Sequence, residues 1–512
     1  MQTLTIGNAD SPSGVTIKNI GIKTNRVFGG LEIDNSSNND PVVKLYSLPL
    51  TVAGDLTIAN GATFDARGFD LTLNRNFIND GAYVASGNKL NFSPAGTRTV
   101  SGTGTFDIFK LDKVSGAQLN SSVNLIVNDE LRILAGNFSL GSNYLLAKGN
   151  VTLDSRVIAT SGIGLVMEGT SRQTLRRTNN TATSRINILT IRNTNGVEIP
   201  DGQGYRFQIE TSLRLESGVF DVGGNLILFT PTAVITPVNP FSVGNMIRTN
   251  SSFSDSGVRK VFPANYTTDF VFPVGQAFYT PITFNFGSPG RTTGATSPTL
   301  TVRTAEEPHP AIVEDSESPD PEITDIDNVL QYYYTIDADN VSPSFQADAI
   351  MKYDPAYVAV TAPYAETNYI TASIFDDNNP TEAINKASGV VNTLAKTLTF
   401  TFSGVSDDLI SGDYFAGIDT AIPDNVPVYE TIASGNINDP TIFTPQPTGT
   451  PNGAIVVVNT GHELDFNTNS VRLYKTIIHS GSTLDVNNTY GHRLGKVTGT
   501  GTLKITSNTE SA

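Results

Sequence analysis

The 512-residue chain contains no cysteine and no tryptophan. A disulfide framework and cysteine nucleophiles are therefore excluded. The lack of cysteine is compatible with an exported bacterial protein without requiring export. Histidine is scarce: His309, His462, His479 and His492 are scattered, with none of the spacing that metal ligation needs. No stretch approaches the ~18 consecutive apolar residues of a membrane-spanning helix. The opening "MQTLTIGNADSPSG" lacks a basic region followed by an apolar one, so no signal peptide is visible. A mature segment, or a piece of a longer chain, is expected. The chain has no G-x-S-x-G elbow and no Walker-type phosphate loop, and "GIG" at 162 and "GQG" at 202 are turn glycines with no helix after them. Apolar residues at helical spacing are also missing.

The charge is lopsided, with 33 basic residues against 49 acidic and a net of −16. Such a field repels nucleic acid and anionic membrane surfaces, and neither is expected as a partner. Apolar content of 38% suffices for cores, and 8% aromatics argues against disorder.

Short runs rich in Val, Ile, Leu, Thr and Phe alternate with period two and end in Gly, Asn, Asp or Ser, as in "GDLTIANG", "DLTLNRNFINDG" and "NVTLDSRVIATSG". One strand–turn–strand unit recurs: "LTIANGATFDARGFDLTL" at 56–73, "LRILAGNFSLGSNYLL" at 131–146 and "LRLESGVFDVGGNLIL" at 213–228. Its glycines, Gly61, Gly136 and Gly218, lie 75 and 82 residues apart, and each interval holds a few coils of a β-solenoid. Alternate residues then face a shared core, Val222 and Leu226 among them, while Gly, Asn and Asp turn the corners. Ordinary hairpins of β-sandwiches use the same turn chemistry and are the competing reading.

Three prolines in "TPTAVITPVNPFS" mark a junction. Beyond it lie longer strands, most of the tyrosines and the acidic loop "AEEPHPAIVEDSESPDPEITDIDN" at 305–328. Solenoid writing returns late: "GSTLDV" at 481–486 nearly repeats "GATFDA" at 61–66, and "TGTGTL" at 498 nearly repeats "SGTGTF" at 101. The expected fold is all-β: a parallel, right-handed β-helix over 1–235, an antiparallel immunoglobulin-like β-sandwich region over 236–430, and a linker with the start of a second β-helix over 431–512.

"GNMIRTNSSFSDSGVRKVFP" with "FVFPVG" at 244–275, "ISGDYFAG" at 410–417 and "ASGNINDPTIFTP" at 433–445 resemble the large, repetitive surface proteins of the Bacteroidota. That resemblance implies export by the type IX system and β-helical and immunoglobulin-like modules. It also implies an extracellular, cell-surface location and, for some members, adhesion or gliding. The family's C-terminal sorting domain is not recognisable at "TSNTESA", which fits a fragment.

Asp325 and Asp327 in "DID", with Asp337 and Asp339 in "DAD", flank Tyr332, Tyr333 and Tyr334. Clustered carboxylates of this kind supply oxygens to calcium, which takes six to eight. The calcium-loop pattern of a central Gly and distal Glu is missing, so a solvated acidic loop is the alternative. No other cofactor is expected. The tyrosines could form a sugar-stacking platform or, as the alternative, an alternating strand with Tyr333 facing away from its neighbours. Asp65, Asp70, Asp129 and Asp154 sit singly in turns, where corner and solvating roles are expected instead of the paired carboxylates of glycoside hydrolysis.

The expectation is a non-enzymatic structural or adhesive element of the cell surface. It would be a segment of a stiff stalk or filament whose partners are neighbouring modules of a longer chain, identical copies head to tail, or surface glycans. A carbohydrate-binding or polysaccharide-degrading β-helix is the alternative function. Catalytic residues are expected in neither half.

Overall fold

A computed structural model describes residues 2–7, 20–112, 117–250, 256–312, 326–375, 383–404 and 406–505. The chain divides into two compact units, Met1–Arg248 and Thr249–Ala512. It is all-β; helix among the described residues is confined to three-residue 3-10 segments such as Ile326–Asn328 and Pro355–Tyr357.

The first unit is a parallel β-solenoid. Strands of three to five residues dominate because each side of a coil is short, and the alternation seen in the sequence becomes alternation between core and solvent. One column of core partners runs Leu50, Leu71, Leu90, Phe109, Leu131, Val151, Leu175, each residue paired in parallel with the next. A second runs Leu125, Leu145, Leu165, Leu189, Leu213. Coil length therefore drifts from 19 residues, at Leu90 to Phe109, to 29, at Arg156 to Arg185, and several coils fit between the recurrent glycines. Phenylalanine rings stack from coil to coil, with Phe92 and Phe109 5.3 Å apart and Phe109 and Phe138 5.5 Å apart. Val222 and Leu226 are buried, as expected.

The corners explain the Gly and Asn punctuation. Gly61, Gly136 and Gly218 have φ of +83°, +81° and +93°, a region that costs other L-residues energy. Buried asparagines satisfy backbone carbonyls where the chain bends: the Asn193 side-chain amide donates to Ser171 O at 2.8 Å, and Asn225 donates to Pro200 O at 2.9 Å. An unmet carbonyl at a buried corner would otherwise cost the desolvation of that group.

The prolines after Thr230 do not stop the coiling. Val234–Pro237 pairs in parallel with Ser212–Leu215, and Phe220 N donates to Met246 O at 2.9 Å. Pro231 lies in a turn and Pro237 is the last residue of its strand, so neither removes a donor from mid-ladder. The unit accordingly runs on to Arg248, past the change of composition at 235.

The second unit starts with antiparallel arrays. In one, Gly257–Val261, Thr299–Ala305, Tyr333–Asp339, Gly412–Ile418, Tyr369–Phe375 and Ile384–Lys386 pair in that order. In the other, Phe270–Phe272, Ile282–Asn285, Gln346–Lys352, Thr397–Ser403 and Val390–Asn392 do so. Their aromatic side chains meet: the Tyr414 ring from the first lies 4.8 Å from Phe400 of the second. From Val428 the pairing is parallel again, through Ile455–Val458, Lys475–Ile478 and Lys496–Gly499 on one side and Glu463–Asp465, Thr483–Asp485 and Thr502–Lys504 on another. Gly481, with φ +77°, turns the same corner here that Gly61 turns in the first unit.

Candidate functional site

Of the four aspartates expected to collect calcium, Asp325 lies outside the described residues. Asp327 is exposed in the 3-10 segment Ile326–Asn328. Asp337 and Asp339 share one side of the strand Tyr333–Asp339, and Asp337 is held by Arg303 of the adjacent strand at 2.5 Å. A carboxylate already answered by a guanidinium is a weaker ligand for a cation, since the two charges compete for it.

The tyrosines offer no platform. Tyr332 and Tyr334 are fully buried, their rings 5.2 Å apart, and Tyr333 on the opposite side is buried as well. The Tyr334 hydroxyl donates to Lys352 O at 2.5 Å. Burial pushes the phenol pKa of Tyr332, Tyr334 and Tyr414 well upward. The facing-away of Tyr333 is as expected, but both sides of the strand are core.

Tyr333 instead meets His309. This ring is fully buried, stacks on Phe415 at 4.7 Å and 7°, and touches Tyr333 at 4.9 Å and Tyr474 at 5.3 Å. Its Nδ1 accepts from Ala311 N at 3.1 Å, so Nε2 carries the hydrogen that faces Asp413 Oδ2, also at 3.1 Å. Asp413 is completed by the Thr335 hydroxyl at 2.6 Å. Two residues earlier, Glu307 pairs with Arg493 and approaches Arg472 to 3.9 Å. Arg472 and Arg493 are parallel bridge partners and Tyr474 immediately precedes the strand Lys475–Ile478, so the segment around His309 pins the C-terminal parallel region to the antiparallel arrays. Two other histidines are structural in the same sense: His462 Nδ1 meets Thr431 Oγ1 at 2.8 Å, and His492 Nε2 meets Thr489 Oγ1 at 2.7 Å, while His479 is exposed. Burial holds the His492 pKa below the usual histidine value.

The isolated aspartates of the solenoid hold turns and neighbouring coils. Asp65 accepts from Arg67 N at 2.9 Å, Asp70 pairs with Lys89 at 2.7 Å, and Asp154 takes both the amide and hydroxyl of Thr178 from the next coil. Asp129 is exposed on its strand.

Sequence reading missed one carboxylate group. Glu463, Asp465 and Asp485 are the trio, among the described residues, whose oxygens come within 4.8 Å of one another. Register brings them together, since Asp465 pairs with Asp485 one coil on, and the next partner is Lys504. The Lys504 amine sits on Asp485, whose hydrogen bond raises the lysine pKa. Three oxygens with an ammonium already among them form an ion-paired corner, short of the six to eight that calcium takes. The signal was present as "ELD" at 463, "TLD" at 483 and "TLK" at 502.

A shallow cleft on the first unit is lined by Arg172, Thr194, Asn195, Gly196, Val219, Asp221 and Arg248. Its charges answer one another: Arg172 bonds Glu198 at 2.6 Å and Asp221 at 2.9 Å, and Arg248 reaches Asp221 at 3.3 Å. No protein-family model, no curated protein and no solved structure matches this chain.

Proposed function

We propose that the chain is a structural and adhesive element of a bacterial cell surface, secreted and displayed outside the cell as one segment of a stalk or filament. In this reading the first unit is a right-handed β-helix, the antiparallel arrays are an immunoglobulin-like sandwich, and the parallel ladders after Val428 are the start of a second β-helix. The carrying observation is how the polar groups are used. The buried tyrosines, His309, His462 and His492, and of the aspartates Asp70, Asp154 and Asp337, are engaged in holding coil to coil or strand to strand, as are Glu168, Arg192 and Glu216 on successive coils at 3.0 and 2.5 Å. Side chains committed to scaffolding suit a load-bearing module. The resemblance to Bacteroidota surface proteins supports the location.

The 512-residue protein, incubated with acidic and neutral polysaccharides, is expected to release no reducing ends and no unsaturated products. A turnover abolished by changing one carboxylate would overturn the reading in favour of a polysaccharide-degrading solenoid.

A further inference from the structure

The net charge of −16 conceals a division. Residues 1–248 carry 21 Lys and Arg against 19 Asp and Glu, whereas residues 249–512 carry 12 against 30. The excess of acid lies wholly in the second unit, and the solenoid is slightly basic.

Within the solenoid many cations are paired with an acid on their own strand or on a neighbouring coil. Arg132 and Arg176 share Glu130, Arg192 lies between Glu168 and Glu216, and Arg172 takes Glu198 and Asp221. One outward column sets two arginines on neighbouring rungs. It runs Gln118, Asn137, Arg156, Arg185, Gln208, each the parallel partner of the next. Coils stand roughly 4.8 Å apart, so Arg156 and Arg185 are like charges on adjacent rungs, an arrangement that is destabilising by itself. Glu210 answers Arg156. Arg185 is exposed and has no carboxylate partner among the described residues. Alternation along the same strands adds Asn187 beside Arg185, and the exposed Arg206 beside Gln208.

We infer that this column is a binding strip for a carboxylate-bearing polysaccharide lying across the coils. A guanidinium presents a planar fork that fits a carboxylate bidentately. The flanking Asn137 and Gln208 amides each offer a donor and an acceptor to sugar hydroxyls. With Arg156 already held by Glu210, an acidic chain supplies a carboxylate to Arg185, the guanidinium of the pair that has none. Single-stranded nucleic acid is the poorer fit, because the column contains no aromatic ring for a base to stack on. The proposal adds a ligand class to the surface reading and does not depend on the stalk being filamentous.

The test is affinity electrophoresis of the full 512-residue chain in gels containing sodium polygalacturonate or neutral dextran, without calcium and at low ionic strength. The unaltered protein is expected to be retarded by polygalacturonate and to pass dextran freely. Arg185→Gln should weaken retardation by about tenfold in apparent affinity. Arg75→Gln removes the same charge from another exposed position and should change it by no more than about twofold. Thermal melting of both variants verifies that they fold; should Arg185→Gln fail to fold, Arg185→Lys takes its place, keeping charge while losing the fork. Absence of retardation, equal binding to dextran, or equal loss in Arg75→Gln would each overturn the strip. Any of these would leave the structural reading standing, since that rests on the hydrolysis and localisation tests.

Discussion

Gly218 and Gly481 turn equivalent corners, yet their surroundings differ, and substitution separates backbone strain from crowding. A Cβ on Gly218 would sit 1.7 Å from Asn193 O, whereas on Gly481 its nearest neighbour is Thr460 Cγ2 at 3.9 Å. Both φ values are positive, so alanine is strained at either position. Gly481→Ala should cost about 1 kcal/mol, the backbone share alone. Gly218→Ala must in addition displace the backbone of the preceding coil and should cost about 3 kcal/mol or more. Urea unfolding of the two variants, compared with the parent, checks the order. Val222 offers a harsher case. It is fully buried in the column behind that corner, and Val222→Asp places an unpaired carboxylate there, with a destabilisation of several kcal/mol expected. Wild-type-like melting of this variant would contradict the inward assignment.

At the scale of elements, the tyrosine-rich arrays of the second unit carry a pH signature. The phenols of Tyr332, Tyr334 and Tyr414 are fully buried, and burial raises their pKa above the ordinary value of 10.0. A folded pKa above the unfolded one means that the stabilisation is complete below pH 10.0 and is lost as pH rises from there toward the folded values. The share of tyrosinate absorbance that these three phenols contribute should therefore appear together with unfolding of these arrays and not ahead of it; their reversible ionisation in the folded protein would contradict the burial. The His309 segment makes a second prediction. His309→Ala removes a ring packed against Phe415, Tyr333 and Tyr474, at a cost of about 3 kcal/mol. Hydrogen exchange should then quicken in Ile455–Val458 and Lys475–Ile478 while the first unit is unchanged.

These elements also show what a sequence can and cannot disclose. Strand positions, inward residues and corner glycines are local properties, set by period-two alternation and by the φ that a turn demands, and they were legible at Gly61, Gly136, Gly218 and Val222. Register is not local. Arg303 meets Asp337 across 34 residues, and Asp465 meets Asp485 because one coil happens to be twenty residues long. Coil length drifts from 19 to 29 residues, so no fixed spacing in the sequence reveals which outward side chains become neighbours. The prolines after Thr230 misled for a related reason. Their effect depends on whether they fall inside a ladder or at its end, and Pro237 falls at the end.

For the whole molecule, the division of charge matters more than its total. A solenoid near neutrality and a second unit with 30 acids against 12 bases will respond differently to salt. Acid–acid repulsion in the second unit is screened as ionic strength rises, and its stability is expected to increase with salt, while the ion-paired ladders of the first unit gain nothing. The claim that governs all of this is that the chain is displayed on the cell surface as a structural and adhesive part. Immunogold electron microscopy of intact, unpermeabilised cells that make the protein tests it most directly. The account expects gold outside the envelope, along fibres or projections. Gold seen only after permeabilisation, with bare surfaces on intact cells, would contradict it.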